Sequence, residues 1–208
     1  MLSKTASAES AGRFCGRLEV LMAVTKGVIK VKKKWFTVLA PVIFKEKELS
    51  EIAAFEPQNL IGRPAEFNLM QITGIPKDQQ KKVIFKIIDT RGEKAITIPW
   101  RFYLIESFLQ RSSRRFKEKF IYVTDVKTKD GKTATIKMMA MAVRKLHQPV
   151  RASLLKKLAQ QISEKVPELT SDELFTPANI DKLASDLRKE LKQIFPLDKL
   201  LVWKLSVQ

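Results

Sequence analysis

The sequence predicts an α+β fold with a central β-barrel-like, curved antiparallel or mixed sheet, one inserted helix and C-terminal helices. Short runs rich in β-branched and aromatic residues, separated by turn signals, fill the first 150 residues. Apolar residues at three- and four-residue spacing follow them, as in amphipathic helices. With 208 residues, of which 45 % are hydrophobic, the chain is long enough for a packed core.

The first strands are predicted from apolar runs at residues 36–44 and 65–73. Pro41 lacks an amide hydrogen, so it marks a strand end, a bulge or a sheet edge. Residues 82–89 have the composition of a strand, and a turn connects them to a second strand at residues 94–98.

A β-hairpin is predicted further along the chain. Residues 120–126 are rich in β-forming side chains, and residues 133–143 form the returning strand. Asp130 and Gly131 lie between them, and this dipeptide favours a tight turn because glycine readily adopts positive φ.

One helix is predicted inside the β-rich region, at residues 100–116, because apolar residues recur on one face and arginines crowd its C-terminal end. In the C-terminal part, apolar stripes predict helices at residues 154–166 and 180–194. Thr170 and a glutamate three residues later form a capping box for a short helix. Residues 200–205 are predicted as a final strand.

Three parts are predicted along the chain. Residues 1–29 form an N-terminal extension, residues 30–149 a basic β-rich body, and residues 150–208 a helical part with a final strand that packs on the body. One hypothesis is that residues 1–21 are an upstream extension, because Met22 begins a plausible start of a soluble protein.

The charge of the chain is large and unevenly distributed. The chain holds 39 Lys and Arg against 22 Asp and Glu, a formal net charge of +17. Residues 151–208 contribute only +2 of this charge, so +15 lies on residues 1–150. A folded body with this charge favours a polyanionic partner, and nucleic acid, an anionic membrane surface and an acidic protein all remain open.

Several function classes lack the residues they need. Cys15 and His147 are the single cysteine and histidine, so no intrachain disulfide or Cys/His zinc site can form. Ser153 and Lys156 have the spacing of some acyl-transfer enzymes, but the companion motifs are missing. No two carboxylates form a recognisable acid/base pair. We therefore predict no enzyme activity, no cofactor, no metal and no small-molecule substrate.

A membrane partner is also disfavoured. No apolar run approaches the roughly 18–20 residues of a spanning helix. The predicted amphipathic helices lie in the nearly balanced C-terminal part rather than in the basic body, where a membrane-surface helix would need its charge.

Two basic clusters are the candidate nucleic-acid contacts. The first contains Lys30, Lys32, Lys33 and Lys34, for which we predict phosphate contacts, whereas the adjacent Trp35 is predicted in the core. The second spans residues 111–145 with net charge +8, and its basic residues are Arg111, Arg114, Arg115, Lys117, Lys119, Lys127, Lys129, Lys132, Lys137, Arg144 and Lys145. Arg63 and Arg151 are possible additions. Such a distributed surface contacts backbone and shape rather than base sequence.

The order of motifs resembles a known family. Residues 33–44 (KKWFTVLAPVIF), 60–67 (LIGRPAEF) and 125–131 (DVKTKDG) resemble successive segments of the archaeal and eukaryotic small-subunit ribosomal protein family eS-one, also called S-three-A-e. Residues 155–162 and 194–197 resemble the C-terminal helices of that family and their exit. The chain departs from the family pattern at Ile98-Pro-Trp-Arg101. The basic run that usually follows the hairpin in this family is reduced here to Arg144-Lys145-Leu-His147.

This resemblance implies a structural, non-catalytic protein without a cofactor. It implies a cytoplasmic, ribosome-bound protein on the platform of the small subunit, near the 3′ end of the rRNA and the mRNA exit. The implied partners are small-subunit rRNA, neighbouring ribosomal proteins of the platform and mRNA near the exit. The alternative is a free RNA-binding chaperone or a translation-initiation-type factor that associates transiently with the ribosome.

Overall fold

The computed structural model describes residues 32–114, 118–142 and 144–207. Its strands are β1 (Lys34–Leu39), β2 (Glu48–Ala54), β3 (Pro64–Asn68), β4 (Lys81–Arg91), β5 (Lys94–Leu104), β6 (Glu118–Lys127), β7 (Thr133–Ala142) and β8 (Leu197–Val207). Its α-helices are α1 (Leu69–Thr73), α2 (Glu106–Ser113), α3 (Gln148–Lys165), α4 (Ser171–Phe175) and α5 (Pro177–Leu191). The predicted α+β class is confirmed. The predicted N-terminal extension, residues 1–29, lies outside the described residues.

The eight strands form one mixed sheet in which β5 is the branch point. The main order is β2-β1-β5-β8-β7-β6, and β4 pairs with the other edge of β5 and with β3. One edge of β5 is shared, because β1 pairs in parallel with its first half and β8 pairs antiparallel with its second half. Within the described residues the sheet does not close into a barrel. The predicted central mixed sheet is present, and it is open.

The predicted helix at residues 100–116 is wrong in its first part. Residues up to Leu104 continue β5, and α2 begins at Glu106. The reason is tertiary pairing, since Phe102 and Leu104 are buried on one face while β4 and β8 satisfy the backbone. Pro99 is accommodated at a bulge, which skips Trp100 in the pairing with β4.

Two other predicted strands are shorter than expected. β1 ends at Leu39, before Pro41, and the apolar residues that follow form a short 3-10 turn at Val42–Phe44. β3 ends at Asn68, whose side chain accepts a hydrogen bond from the amide of Met70 at 3.2 Å and starts α1. The strand β2 was not predicted from the sequence.

The C-terminal elements join the same sheet and core. The Thr170 capping box is confirmed at the start of α4, and apolar side chains of α5 pack near β8. The predicted final strand is confirmed as β8, which lies between β5 and β7. Lys81 of β4 forms ion pairs with Asp78 at 3.0 Å and with Asp181 of α5 at 2.7 Å. The three-part division stays a prediction.

Candidate RNA-binding surface

The structure describes fourteen of the seventeen basic residues named from the sequence, and all but Lys137 and Arg151 are exposed. Arg151 is half-buried in the first turn of α3. Lys30, Arg115 and Lys117 lie outside the described residues. Exposed cations suit phosphate contacts, because a buried or ion-paired cation would have to give up its interactions first.

The start of β1 presents an aromatic residue beside lysines. Lys34 is exposed, and Trp35 keeps 64 % of its surface accessible, so the prediction that Trp35 lies in the core is wrong. Successive side chains of a strand point to opposite faces, and Phe36 and Val38 fill the core-facing positions of β1. The ring of Trp35 therefore lies on the other face of β1, where it is accessible for stacking on a nucleobase.

The predicted hairpin is confirmed as β6 and β7, with Lys127 opposite Thr133 at its tip. The turn closes through the amide of Thr128, which donates to the carbonyl of Lys132 at 2.9 Å. Gly131 has φ of +76°, a left-handed conformation that favours glycine. This turn carries the exposed side chains of Lys127, Lys129 and Lys132.

The hairpin tip is attached to the helical part of the protein. The carboxylate of Asp130 accepts hydrogen bonds from the amide and hydroxyl of Ser171, both at 2.7 Å. The amide of Lys129 donates to the carbonyl of Leu169 at 3.2 Å. The pKa of Asp130 is lowered from its ordinary value. The hydrogen bond from the amide of Ser171 has the largest effect, and the one from the Ser171 hydroxyl the next largest. Three hydrogen bonds thus hold the tip, and its lysines project from a fixed backbone.

Three further hairpin cations lie at the opposite end, whereas Lys137 lies midway along β7. Lys119 is near the start of β6, and Arg144 and Lys145 follow β7. The amide of Leu146 donates to the carboxylate of Glu118, which ties this segment to the hairpin base. Ten residues of strand separate the two ends by about 30 Å. The second basic cluster is therefore divided into a tip group and a base group.

Arg111 and Arg114 lie on a cleft that is lined by both polar and apolar residues. They and the amide side chains of Asn68, Gln79 and Gln80 line a space of about 570 Å³ beside α2. Guanidinium groups bind phosphates and amides bind base edges, so the cleft has the chemistry to hold part of a nucleotide.

Arg63 belongs to neither group. It precedes β3, where its carbonyl accepts a hydrogen bond from the amide of Ile87 at 3.2 Å. Its backbone is therefore tied to β4 while its side chain is exposed.

A further set of basic residues was not selected from the sequence. Lys82, Arg101 and Lys204 lie on the face of the sheet opposite the buried row that contains Phe102 and Leu205. Alternation of buried and accessible residues along β4, β5 and β8 was the signal that could have identified them.

Two features of the described residues bear on other function classes. No helix among them has the length and apolar character required to cross a membrane. The same residues include no group of three or more His, Cys, Asp and Glu side chains placed to hold a metal ion.

An open α+β sheet with exposed lysines and arginines at strand ends, at a turn and at a helix end is typical of proteins that contact nucleic-acid backbone. Comparison with known families is more specific. Residues 29–208 match the model of the Ribosomal S3Ae family, and the chain belongs to that family. The resemblance carried by the sequence motifs is thereby confirmed.

Curated relatives match nearly the whole chain. The small ribosomal subunit protein eS1 of Saccharolobus islandicus strain L.S.2.15 is 32 % identical over 189 residues, which cover 89 % of this chain and 91 % of that protein. The protein of the same name from Saccharolobus solfataricus is 31 % identical with the same coverage. The one from Archaeoglobus fulgidus is 29 % identical over 177 residues, 84 % of each chain.

Proposed function

We propose that the protein is a structural constituent of the small ribosomal subunit that binds rRNA. The observation that carries the proposal is membership of the Ribosomal S3Ae family across residues 29–208. Relatives named small ribosomal subunit protein eS1 align with about nine tenths of the chain, which supports the same role for the whole described body.

The hairpin tip is the best-defined rRNA contact of this proposal. Lys127, Lys129 and Lys132 project from a turn whose backbone is hydrogen-bonded to Leu169 and Ser171. A fixed turn lowers the conformational entropy lost on binding, and lysines on it meet phosphates without reading bases. The tip would thus recognise the shape of an rRNA backbone.

The other basic groups extend the contact. The start of β1, the hairpin base and the Arg111 cleft lie on different elements, so the protein would bridge several rRNA segments. We place it on the platform of the small subunit near the 3′ end of the rRNA and the mRNA exit. Its neighbours there would be other platform proteins and mRNA. This role is structural rather than catalytic and belongs to cytoplasmic ribosomes.

Sedimentation tests the assignment. Extract of the source cells in low salt is separated on a sucrose gradient, and the protein is located by its antibody. We expect it in the small-subunit fractions and in whole ribosomes, with release at high salt because phosphate contacts weaken with ionic strength. Recovery in the free fractions alone would contradict the proposal and favour the free RNA-binding chaperone or initiation-type factor.

A further inference from the structure

Two rows of paired side chains cross six strands on one face of the sheet. The first row contains Asn68, Lys82, Tyr103, Lys204, Lys137 and Val123. The second row contains Glu66, Ile84, Arg101, Ser206, Thr135 and Asp125. Every member is exposed or half-buried, whereas the row between them is buried from Phe67 to Ile136. This face is therefore accessible across the width of the sheet, and we call it the open face.

Aromatic rings hold three cations on the open face. The Nζ atoms of Lys137 and Lys204 lie 4.0 Å and 5.6 Å from the ring centroid of Trp203. The Cζ atom of Arg101 lies 3.8 Å from the centroid of Trp100. Both tryptophans occupy bulges, where the strand pairing skips one residue. Contacts of this kind fix the long side chains without neutralising their charge.

These three cations keep their charge available. On the same face, Lys82 is neutralised by Glu66 at 2.6 Å. Arg101, Lys137 and Lys204 form no ion pair with any residue that the structure describes. They lie on the adjacent strands β5, β8 and β7, which are about 4.8 Å apart. A partner that covers them has to be anionic.

A neutral aromatic ring lies beside the cations. Tyr103 is paired with Lys204 on one side and with Lys82 on the other. Desolvation, and then the hydrogen bond to Glu66, raise the pKa of Tyr103 to about 12, so its hydroxyl stays neutral. The ring is half-buried and held in place, as a stacking platform requires.

The chain's own N-terminal segment is a poor occupant for the open face. Residues 1–31 contain five basic and two acidic residues, so their charge has the same sign as that of the face. Charge complementarity therefore favours a polyanion, and the combination of cations and an aromatic ring favours a nucleic acid over an acidic protein.

We propose that the open face binds single-stranded RNA, at a site separate from the basic groups that carry the proposed function. Phosphates of the strand contact Arg101, Lys204 and Lys137, and one nucleobase stacks on the ring of Tyr103. Binding is independent of base sequence, because neither phosphate contacts nor stacking reads base edges. A duplex is a poorer ligand, since its bases are already stacked.

The test measures binding of the full chain to a fluorescein-labelled 12-nucleotide oligouridine by fluorescence anisotropy. For K137Q/K204Q we expect about 20-fold weaker binding near 0.1 M salt, because each phosphate contact on a single strand contributes a slope of about 0.7 to log affinity against log salt. That slope should fall by about 1.4. The matched control K156Q/K182Q removes two exposed lysines from α3 and α5 and should change affinity less than twofold.

Variants at Tyr103 test the stacking separately. Y103L should weaken oligouridine binding about tenfold, whereas Y103F, which keeps the ring and loses the hydrogen bond to Glu66, should bind nearly as wild type does. Thermal unfolding followed by circular dichroism establishes that each variant is folded.

Three results would overturn the inference. The first is unchanged oligouridine affinity in K137Q/K204Q and Y103L, and the second is an equal loss in K156Q/K182Q. Loss of poly-glutamate binding with unchanged oligouridine binding would assign the face to an acidic protein and also reject it. Sedimentation with small subunits tests the proposed function, whereas oligouridine binding tests the open face. A failure of one proposal can therefore be distinguished from a failure of the other.

Discussion

The β4–β5 and β6–β7 hairpins each have a glycine at positive φ in the turn but place their charges differently. Gly92 and Gly131 take φ of +63° and +76° in the two turns. At the β4–β5 tip, cations have partners: Arg91 lies 3.8 Å from Asp89, and Lys94 lies 3.3 Å from Glu48. That tip is nearly balanced in charge.

At the β6–β7 tip, the carboxylate of Asp130 accepts hydrogen bonds from a serine and does not form an ion pair with a cation of the tip. Asp130 is hydrogen-bonded to Ser171 rather than to a lysine, and Lys127 and Lys129 form no ion pair within the described part of the chain. The acid therefore fixes the backbone while the cations stay available. A hairpin can thus be stabilised locally without losing the charge that an external polyanion would contact.

The largest expected effect is loss of tip charge. K127Q/K129Q/K132Q should bind a transcript of small-subunit rRNA at least about 100-fold more weakly near 0.1 M salt, because three phosphate contacts each contribute a slope of about 0.7–0.9. Filter binding over a salt series measures both affinity and slope. The control R91Q/K94Q, at the other tip, should bind as wild type does, and equal losses would remove the difference between the hairpins.

Replacing each turn glycine sharpens the comparison. G92A and G131A should each lower the free energy of unfolding by about 1–2 kcal/mol, the cost of left-handed backbone for an L-residue. No atom lies within 4 Å of the added Cβ at either site, so backbone strain is the whole effect. Urea unfolding measures it, and rRNA affinity should fall in G131A alone. A stable G131A would contradict the assigned turn.

The attachment of Asp130 predicts a pH dependence. Its pKa is lowered in the folded protein from an ordinary value of 3.8, so its stabilising contribution is present above pH 3.8 and is lost as pH falls through the lower folded-state pKa. The melting temperature of D130N should be below that of wild type at neutral pH, and the two should converge in acid. The control D89N removes an exposed ion pair in which Asp89 lies 3.8 Å from Arg91. Its melting temperature should therefore differ less from that of wild type at neutral pH.

The smallest effect is expected for the exposed pair between Lys94 and Glu48. K94Q should change the free energy of unfolding by less than about 1 kcal/mol, since both side chains are more than half exposed and solvent screens the attraction. Chemical denaturation in low and high salt measures the change. A loss above this range would indicate that the β4–β5 tip depends on its ion pairs.

Local chemistry could be predicted from the sequence, and distant neighbours could not. The Asp130-Gly131 turn and the Thr170 capping box are determined within a few residues, and both predictions are confirmed. Trp35 was misplaced because its exposure depends on which face of β1 packs on the core. The start of α2 was misplaced because pairing of residues 101–104 with β4 and β8 prevails over a helical apolar pattern.

The candidate site shows the same difference between residues that are close in sequence and residues that are distant in sequence. The cations of the hairpin tip are adjacent in sequence and could be grouped without a structure. Arg101, Lys137 and Lys204 come from three separate strands, and they share a face only because β8 pairs with both β5 and β7. A sequence pattern shows that each side chain alternates with buried neighbours but does not show which strands are adjacent.

The central position of β8 constrains the order in which the strands can assemble into the sheet. Strands β1–β5 and the β6–β7 hairpin are two half-sheets joined in the described sheet through residues 197–207. During synthesis these residues leave the ribosome long after β5 and β7, so both half-sheets wait with an unpaired edge exposed. The rows of the open face are incomplete until β8 inserts. The hairpin lysines are therefore synthesised before the strand that completes the open face.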